Sequence, residues 1–314
     1  MKHGKQCQAA LHTWGRANQS SFDSNKESFS IISQSAPEGP SFKLLGVVFD
    51  TKLKMEEAVA TLSNEMAWKL RNLLRTQRYF DTKSLVHLFK SRILGYVEYR
   101  TAAIYHATAT SLDRLDRVYS QLLRAAGLTK EEALLYFGLA PLNARRDVAM
   151  LGIVHRTVLG RGPKHFEKFF VLANQSSHPT GRLNSKGHEY QLQTYRTGRY
   201  LDVVAHSLLG AIDVYNILPA YVVDARDVSE FQNRLQQILK IGAAECHADW
   251  TTMLSNRHLM FRHPLLKFHD FCGMACKTKN GAQNDGGVHP VAVVSATATA
   301  TCINGWLQFG RGIN

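Results

Sequence analysis

Cysteine and long apolar runs are both scarce in this sequence of 314 residues, and each shortage excludes a class of protein. The five cysteines are odd in number and widely scattered, which argues against a disulfide framework and predicts reduced thiols. No stretch approaches the roughly 20 apolar residues that a membrane-spanning helix needs. The residues after Met1 are basic but lack the apolar segment of a secretory signal. We therefore expect an intracellular protein, nuclear or cytoplasmic.

Acidic residues are in deficit. Lysine and arginine number 38 against 25 aspartates and glutamates, which gives a formal net charge of +13. The excess is local: residues 51–100 carry ten basic and five acidic side chains, whereas residues 201–250 carry three and seven. Such a field favours a polyanionic partner, nucleic acid first and an acidic membrane surface second. A basic protein without such a partner is the alternative that charge alone leaves open.

Strand character is confined to the region before residue 50. Residues 28–32 alternate like a short strand, residues 37–40 have the composition of a turn, and residues 42–49 form a compact apolar run. We predict that residues 42–49 are one buried strand that pairs with residues 28–32 across the turn.

Beyond Met55 the apolar residues recur every three or four positions, which predicts helices. Asp81 and Thr82 can cap the second of these helices, and Gly127 is a natural C-cap of the third. The predicted helices cover residues 55–78, 82–97, 111–127, 130–137, 142–159, 199–214 and 228–240.

Two segments lack this periodicity. The composition of residues 161–198 predicts a loop or a largely flexible linker, and that of residues 280–314 a poorly ordered tail. The predicted fold is mainly α, with a small N-terminal β-hairpin packed on a helical bundle, a flexible linker and a C-terminal tail. Its parts are a hairpin segment (1–52), a helical bundle (53–160), the linker (161–198), a distal helical region (199–279) and the tail (280–314).

Trp14 to Asn18 is followed by Asn25-Lys26, then by the apolar run 42–49, and then by the long helices. This order resembles that of non-LTR (LINE-type) retrotransposon reverse transcriptases, in which Asn25-Lys26 looks like the end-of-palm motif and residues 42–49 resemble the primer grip. Residues 53–100 resemble the helical thumb of this family. Residues 112–118, 141–147, 216–219 and 228–240 resemble its connecting and distal regions, so that the resemblance covers residues 11–240.

The resemblance implies a protein that binds template-primer but lacks the polymerase centre. The family's acidic side chains hold Mg²⁺ ions, and the lysine that Lys26 matches is thought to assist the leaving pyrophosphate. This sequence contains no Asp-Asp dipeptide, and too few residues precede Trp14 to build the palm strands. We therefore expect no catalytic residue, no cofactor and no polymerase activity from the chain on its own. A solvated lysine is then the simpler interpretation of Lys26.

Other catalytic motifs are missing as well. The sequence has no Gly-x-Ser-x-Gly, phosphate-binding loop, His-Glu-x-x-His or dinucleotide fingerprint. Cys272 and Cys276, with His263, His269 and His289, have side chains that can bind zinc. Their spacing is not that of a standard zinc finger, so an apolar helix end with two free cysteines is the preferred interpretation, and we predict no metal site.

The strongest binding signal is a stripe of arginines. Arg71, Arg75 and Arg78 fall at i, i+4 and i+7 and would share one face of the helix predicted for residues 55–78. Guanidinium groups bind phosphate oxygens in a bidentate way. Tyr79 and Phe80 follow and could stack on bases or sugars. The alternative is a solvated helix face with buried aromatic residues at its end.

The candidate nucleic-acid-binding residues are therefore Arg71, Arg75, Arg78, Lys43 and Tyr79, with RNA or DNA template-primer as a non-specific partner and no membrane partner. We interpret the chain as a nucleic-acid-binding remnant of a LINE-type reverse transcriptase. A helical protein-interaction module and a non-functional retrotransposon-derived fragment are the alternatives.

Overall fold

The computed structural model describes residues 2–23, 27, 30–33, 35–173, 188–194 and 201–266. In these residues the protein is mainly helical with one small antiparallel sheet, which confirms the predicted fold class. No helix among them is long and apolar enough to cross a membrane. The predicted C-terminal tail lies outside the described residues.

The first helix, α1 (Lys2–Ala17), was not predicted. Cys7, Ala10, Leu11 and Trp14 recur at three- and four-residue spacing, so a short helical periodicity is present within an otherwise polar sequence. Two of its large apolar side chains, Leu11 and Trp14, are more than half exposed. Its contacts with the following segment include bonds from Gln8 and His12 to the Glu27 carboxylate, at 2.6 and 2.9 Å, and an edge-on ring contact between His12 and Phe22.

The hairpin is confirmed, but its predicted strands are wrong. Strands β1 (Phe42–Leu44) and β2 (Val47–Phe49) pair with each other, so the run 42–49 folds back on itself. Leu45 and Gly46 form the turn with φ values of 49° and 81°, the left-handed conformation that tight two-residue hairpins require. Phe42 and Phe49 stack across the sheet with ring centroids 5.6 Å apart. Among residues 30–32, which the structure describes, Ile31 forms an isolated bridge with Glu38.

Helix α2 (Glu56–Arg75) packs on the helices that follow it. The predicted second helix has three parts: α3 (Thr82–Phe89), a π-helical turn (Lys90–Leu94) and α4 (Gly95–Glu98). Asp81 caps α3 as predicted, because its carboxylate accepts a bond of 3.0 Å from the Ser84 amide. The short helix α5 (Thr101–Ile104) comes next.

Helices α6 (Ala109–Ala126), α7 (Lys130–Phe137) and α8 (Leu142–Val158) lie within two residues of their predicted bounds. Gly127 ends α6 with φ 65°, which confirms the predicted C-cap. A first core joins α2, α3, α4 and α6. Its fully buried members include Leu62, Met66, Phe89, Ile93, Leu115 and Leu122.

The segment predicted to be a flexible linker contributes to a second core in its described parts. Phe170, His188 and Leu192 are buried, and Leu192 bridges to Leu172. His188 donates from Nε2 to the Tyr215 carbonyl at 2.9 Å. Tertiary contacts with the distal helices therefore order residues that have no helical periodicity.

In its described residues, 201–266, the distal region contains four α-helices: α9 (Leu201–His206), α10 (Ala211–Asn216), α11 (Ala220–Val223) and α12 (Val228–Ala244). The helix predicted for 199–214 is interrupted between α9 and α10, where the Gly210 backbone packs against Ala205 too closely for a side chain. The helix predicted for 228–240 is confirmed and runs four residues longer.

Helices α7 and α8 take part in both cores. Leu142 at the start of α8 belongs to the first core, whereas Leu151 further along belongs to the second. A buried polar network lies beside this junction. Tyr105 donates to Asp147 at 3.0 Å, and Arg257 donates to the Tyr105 and Ala107 carbonyls, each at 2.9 Å.

Candidate nucleic-acid interface

Helix α2 separates apolar and polar side chains onto opposite faces. Val59, Leu62, Met66 and Leu70 are buried at three- and four-residue spacing. Arg71 and Arg75 lie on the opposite face, one helical turn apart, and both are exposed. Within the described residues, neither arginine forms an ion pair or a side-chain hydrogen bond.

Arg78 lies beyond the end of α2, so the prediction that one helix carries all three arginines is wrong. Helix α2 ends at Arg75, and Gln77–Tyr79 forms a separate 3-10 turn. Gln77 ties this turn to the end of α6 by donating to the Ala125 carbonyl at 2.5 Å. This tertiary contact accompanies the end of α2 at Arg75, three residues before the predicted end at Arg78.

The Arg78 guanidinium is held by its neighbour. Its Nη2 donates to the Tyr79 hydroxyl at 2.6 Å, and the group lies 4.8 Å from the Tyr79 ring centroid. Tyr79 is 69% exposed and Phe80 is 40% exposed, so the alternative in which these rings are buried is wrong. Their contact with bases or sugars stays a prediction.

Lys43 is exposed on β1, where it pairs with Val48. The hairpin lies beside the N-terminal part of α2, because Ser41 contacts Glu57 at 3.3 Å. Tyr79 follows the other end of this helix, which is about 30 Å long. The five predicted binding residues therefore do not form one compact site, and Arg71 and Arg75 are the pair that the fold presents together.

A shallow groove that the sequence did not predict lies next to this face of α2 and includes Trp68. It has a volume of about 420 Å³ and lies between α2 and α4. Its lining residues are Asn64, Glu65, Trp68, Lys69 and Tyr96. Trp68 is 58% exposed. Arg71 and Arg75 follow it by three and seven residues, so helical periodicity places the three side chains on one face of α2.

The far side of the groove is held by a cluster around Tyr96. The Tyr96 hydroxyl donates to the Glu65 carboxylate, and the Arg100 guanidinium lies 4.0 Å from the Tyr96 ring centroid. Burial and this bond to Glu65 raise the pKa of Tyr96 above its ordinary value, so the hydroxyl stays protonated. Arg100 also donates to the Gly46 carbonyl at 3.3 Å, which links the cluster to the hairpin turn.

The residues considered for catalysis or zinc binding lie mostly outside the described residues. Lys26, Cys272 and Cys276 are among those, as are His269 and His289. His263 is described and is buried, with Nε2 donating to the Ser255 carbonyl and Nδ1 accepting from the Leu265 amide. Burial lowers its pKa to about 4. Both ring nitrogens are thus engaged, and no metal-binding group of three His, Cys, Asp or Glu side chains occurs in the described part of the chain.

The protein is mainly helical, and one face of α2 carries three exposed side chains, those of Trp68, Arg71 and Arg75. Comparison with protein-family models, with curated proteins and with solved structures finds no match for the chain.

Proposed function

We propose that this chain binds nucleic acid non-specifically through the exposed face of α2, as a remnant of a LINE-type reverse transcriptase. The observation that carries the proposal is the exposed pair Arg71 and Arg75, which no carboxylate neutralises within the described residues. A guanidinium that is free of protein partners can bind phosphate without first breaking an ion pair.

The surroundings of the pair support the same function. The opposite face of α2 is buried in the first core, so the helix presents the arginines on a rigid support. Residues 51–100, which include α2, carry twice as many basic as acidic side chains. Phosphate contacts of this kind position a nucleic acid and carry no sequence information, which agrees with a non-specific binder.

The proposed origin rests on the order of elements. A β-hairpin precedes a long helix and a helical bundle, the order that the resemblance implies for primer grip, thumb and connection. The proposal includes no polymerase activity for the chain on its own. Incubation with primer-template, nucleotides and Mg²⁺ should give no template-dependent extension, and incorporation by the purified chain would contradict that part.

The double variant Arg71→Gln/Arg75→Gln tests the binding face. Binding to a labelled primer-template is measured over a salt series. Each phosphate contact contributes about −0.9 to the slope of log affinity against log salt on B-form DNA, so the slope should flatten by about 2 units. Folding should be unchanged, because both side chains are exposed.

The matched control is Arg117→Gln/Arg124→Gln. These two arginines are exposed on α6 and lie seven residues apart, so the variant loses the same charge from a different surface. It should keep the slope of the unmodified protein. If the slope of log affinity against log salt flattened equally in both variants, binding would depend on the net charge of the protein and not on this face of α2. A protein without a salt-dependent affinity would favour the interaction-module alternative.

A further inference from the structure

We propose that Trp68 stacks on an unpaired base and makes this surface selective for single-stranded nucleic acid over duplex. The inference rests on the proposed function, because Arg71 and Arg75 would hold the phosphates that flank the stacked base.

Trp68 is placed for such a contact. Its side chain is 58% exposed on the same face of α2 as the two arginines, and it borders the groove towards α4. A base that stacks on the indole would have its own backbone within reach of Arg71, one turn further along the helix. Base–aromatic stacking contributes about 1–3 kcal/mol per base.

The other aromatic ring of the groove is already occupied. The Arg100 guanidinium and the Lys69 ammonium lie 4.0 and 4.8 Å from the Tyr96 ring centroid. Such cation–π contacts use the ring face that a base would need. Trp68 is therefore the ring that this groove offers to a ligand.

The polar lining suits a nucleobase better than an apolar peptide side chain. Asn64 precedes Trp68 by one turn on the same exposed face, and its amide offers both a donor and an acceptor. Lys69 and Glu65 also line the groove and balance each other in charge, so the positive charge near Trp68 comes from Arg71 and Arg75. An amide that can both donate and accept tolerates any of the bases, so this groove would not impose a sequence preference.

Selectivity follows from the accessibility of base faces. In a duplex, each base is stacked between its neighbours, and the faces are open only at ends and unpaired positions. The arginine pair can contact the phosphates of either form, whereas Trp68 has a partner only in the single strand. The two contributions can thus be separated experimentally.

The test compares Trp68→Ala with Trp14→Ala. Trp14 is the matched control because it is 59% exposed and lies on α1. Affinity is measured for a 12-nucleotide single strand, a blunt 12-base-pair duplex and a single strand of the same length with abasic sites. Trp68→Ala should lose about 10-fold in affinity for the intact single strand. It should change duplex affinity less than about twofold and leave the salt slope unchanged.

The abasic strand isolates the base contact, because it keeps every phosphate. The unmodified protein should bind it about as weakly as Trp68→Ala binds the intact strand, and the variant should not distinguish the two strands. Quenching of tryptophan fluorescence by the intact strand should be reduced in Trp68→Ala and retained in Trp14→Ala.

The outcomes separate this inference from the proposed function. Salt-dependent binding of both nucleic acids with no effect of Trp68→Ala overturns the inference alone. An equal loss for single strand and duplex also overturns it, since Trp68 would then support the surface generally. Absence of any salt-dependent binding by the unmodified protein overturns both.

Discussion

Asp147 shows how the environment of one residue sets its chemistry. The carboxyl group is buried beside the junction of the two cores, and this burial raises its pKa from 3.8 to about 7. The bond from the Tyr105 hydroxyl and the charges of Arg146 and Arg257 oppose the shift without cancelling it. Burial also raises the pKa of Tyr105 well above its ordinary value, so this hydroxyl remains the donor.

This shift predicts a pH dependence of stability. A carboxyl whose pKa is higher in the folded state binds more protons there than in the unfolded chain between pH 4 and 7. Its contribution to stability therefore falls as pH rises through that range. Asp147→Asn keeps an acceptor for Tyr105 but removes the titration. Between pH 5 and 7.5 the variant should gain about 2–3 kcal/mol relative to the unmodified protein.

Urea unfolding of both proteins at several pH values measures the difference between their free energies of unfolding. The titration of all other groups contributes equally to both proteins and cancels in this difference. A difference in unfolding free energy that does not vary with pH would show that Asp147 keeps an ordinary pKa in the folded protein.

At the scale of single elements, helix ends are defined by different means. Helix α7 has only eight residues, and a reciprocal capping box starts it. The Thr129 hydroxyl accepts from the Glu132 amide at 3.1 Å, and the Glu132 carboxylate accepts from the Thr129 amide at 2.9 Å. Helix α2 has no capping side chain at Met55, because a thioether cannot replace a hydroxyl or carboxylate as a hydrogen-bond acceptor. Just before the helix, the Asp50 carboxylate accepts from the Met55 and Lys54 amides at 2.8 and 2.9 Å, and the Met55 side chain is fully buried.

Removal of the capping hydroxyl of α7 should destabilise the protein measurably. Thr129→Ala leaves the Glu132 amide without its partner and should lower the free energy of unfolding by about 1 kcal/mol. Thr129→Ser is the matched control, since serine caps a helix as well as threonine does. Urea unfolding gives both values. Equal stability of the alanine and serine variants would mean that the hydroxyl contributes nothing to α7.

At the scale of the whole molecule, the two cores are not independent. Helices α7 and α8 contribute to both, and the Trp250 indole donates to the Glu131 carboxylate at 2.9 Å. Asn143 at the start of α8 donates to the Thr251 carbonyl at 2.7 Å. An opening of one core would expose shared helices and break these links. The described residues should therefore unfold as one cooperative unit.

Amide hydrogen exchange tests this cooperativity. Leu115 is fully buried in the first core, and Leu115→Ala should cost about 2–5 kcal/mol. The slowest amides of α12, in the second core, should lose as much opening free energy as those of α6. If the α12 amides of Leu115→Ala exchanged as slowly as those of the unmodified protein, the distal region would be stable by itself.

Local features of this protein were readable from the sequence, because they depend on residues within a few positions of each other. The apolar periodicity predicts α2, α6 and α8, the residue types of Asp81 and Gly127 predict the caps, and the spacing of Arg71 and Arg75 predicts that they share one face. Trp68 lies on that face at the same helical spacing. The apolar residues of α1 also recur at helical spacing, so this helix was within reach of the same argument.

Tertiary structure decided the features that depend on distant partners. The bond from Gln77 to the Ala125 carbonyl accompanies the early end of α2, and Arg78 lies in a separate turn beyond that end. The groove exists because α4 brings Tyr96 beside Trp68 and Lys69. The burial of Phe170 and Leu192 depends on distal helices that follow later in the chain. These contacts join residues 20 or more positions apart, so no local pattern encodes them.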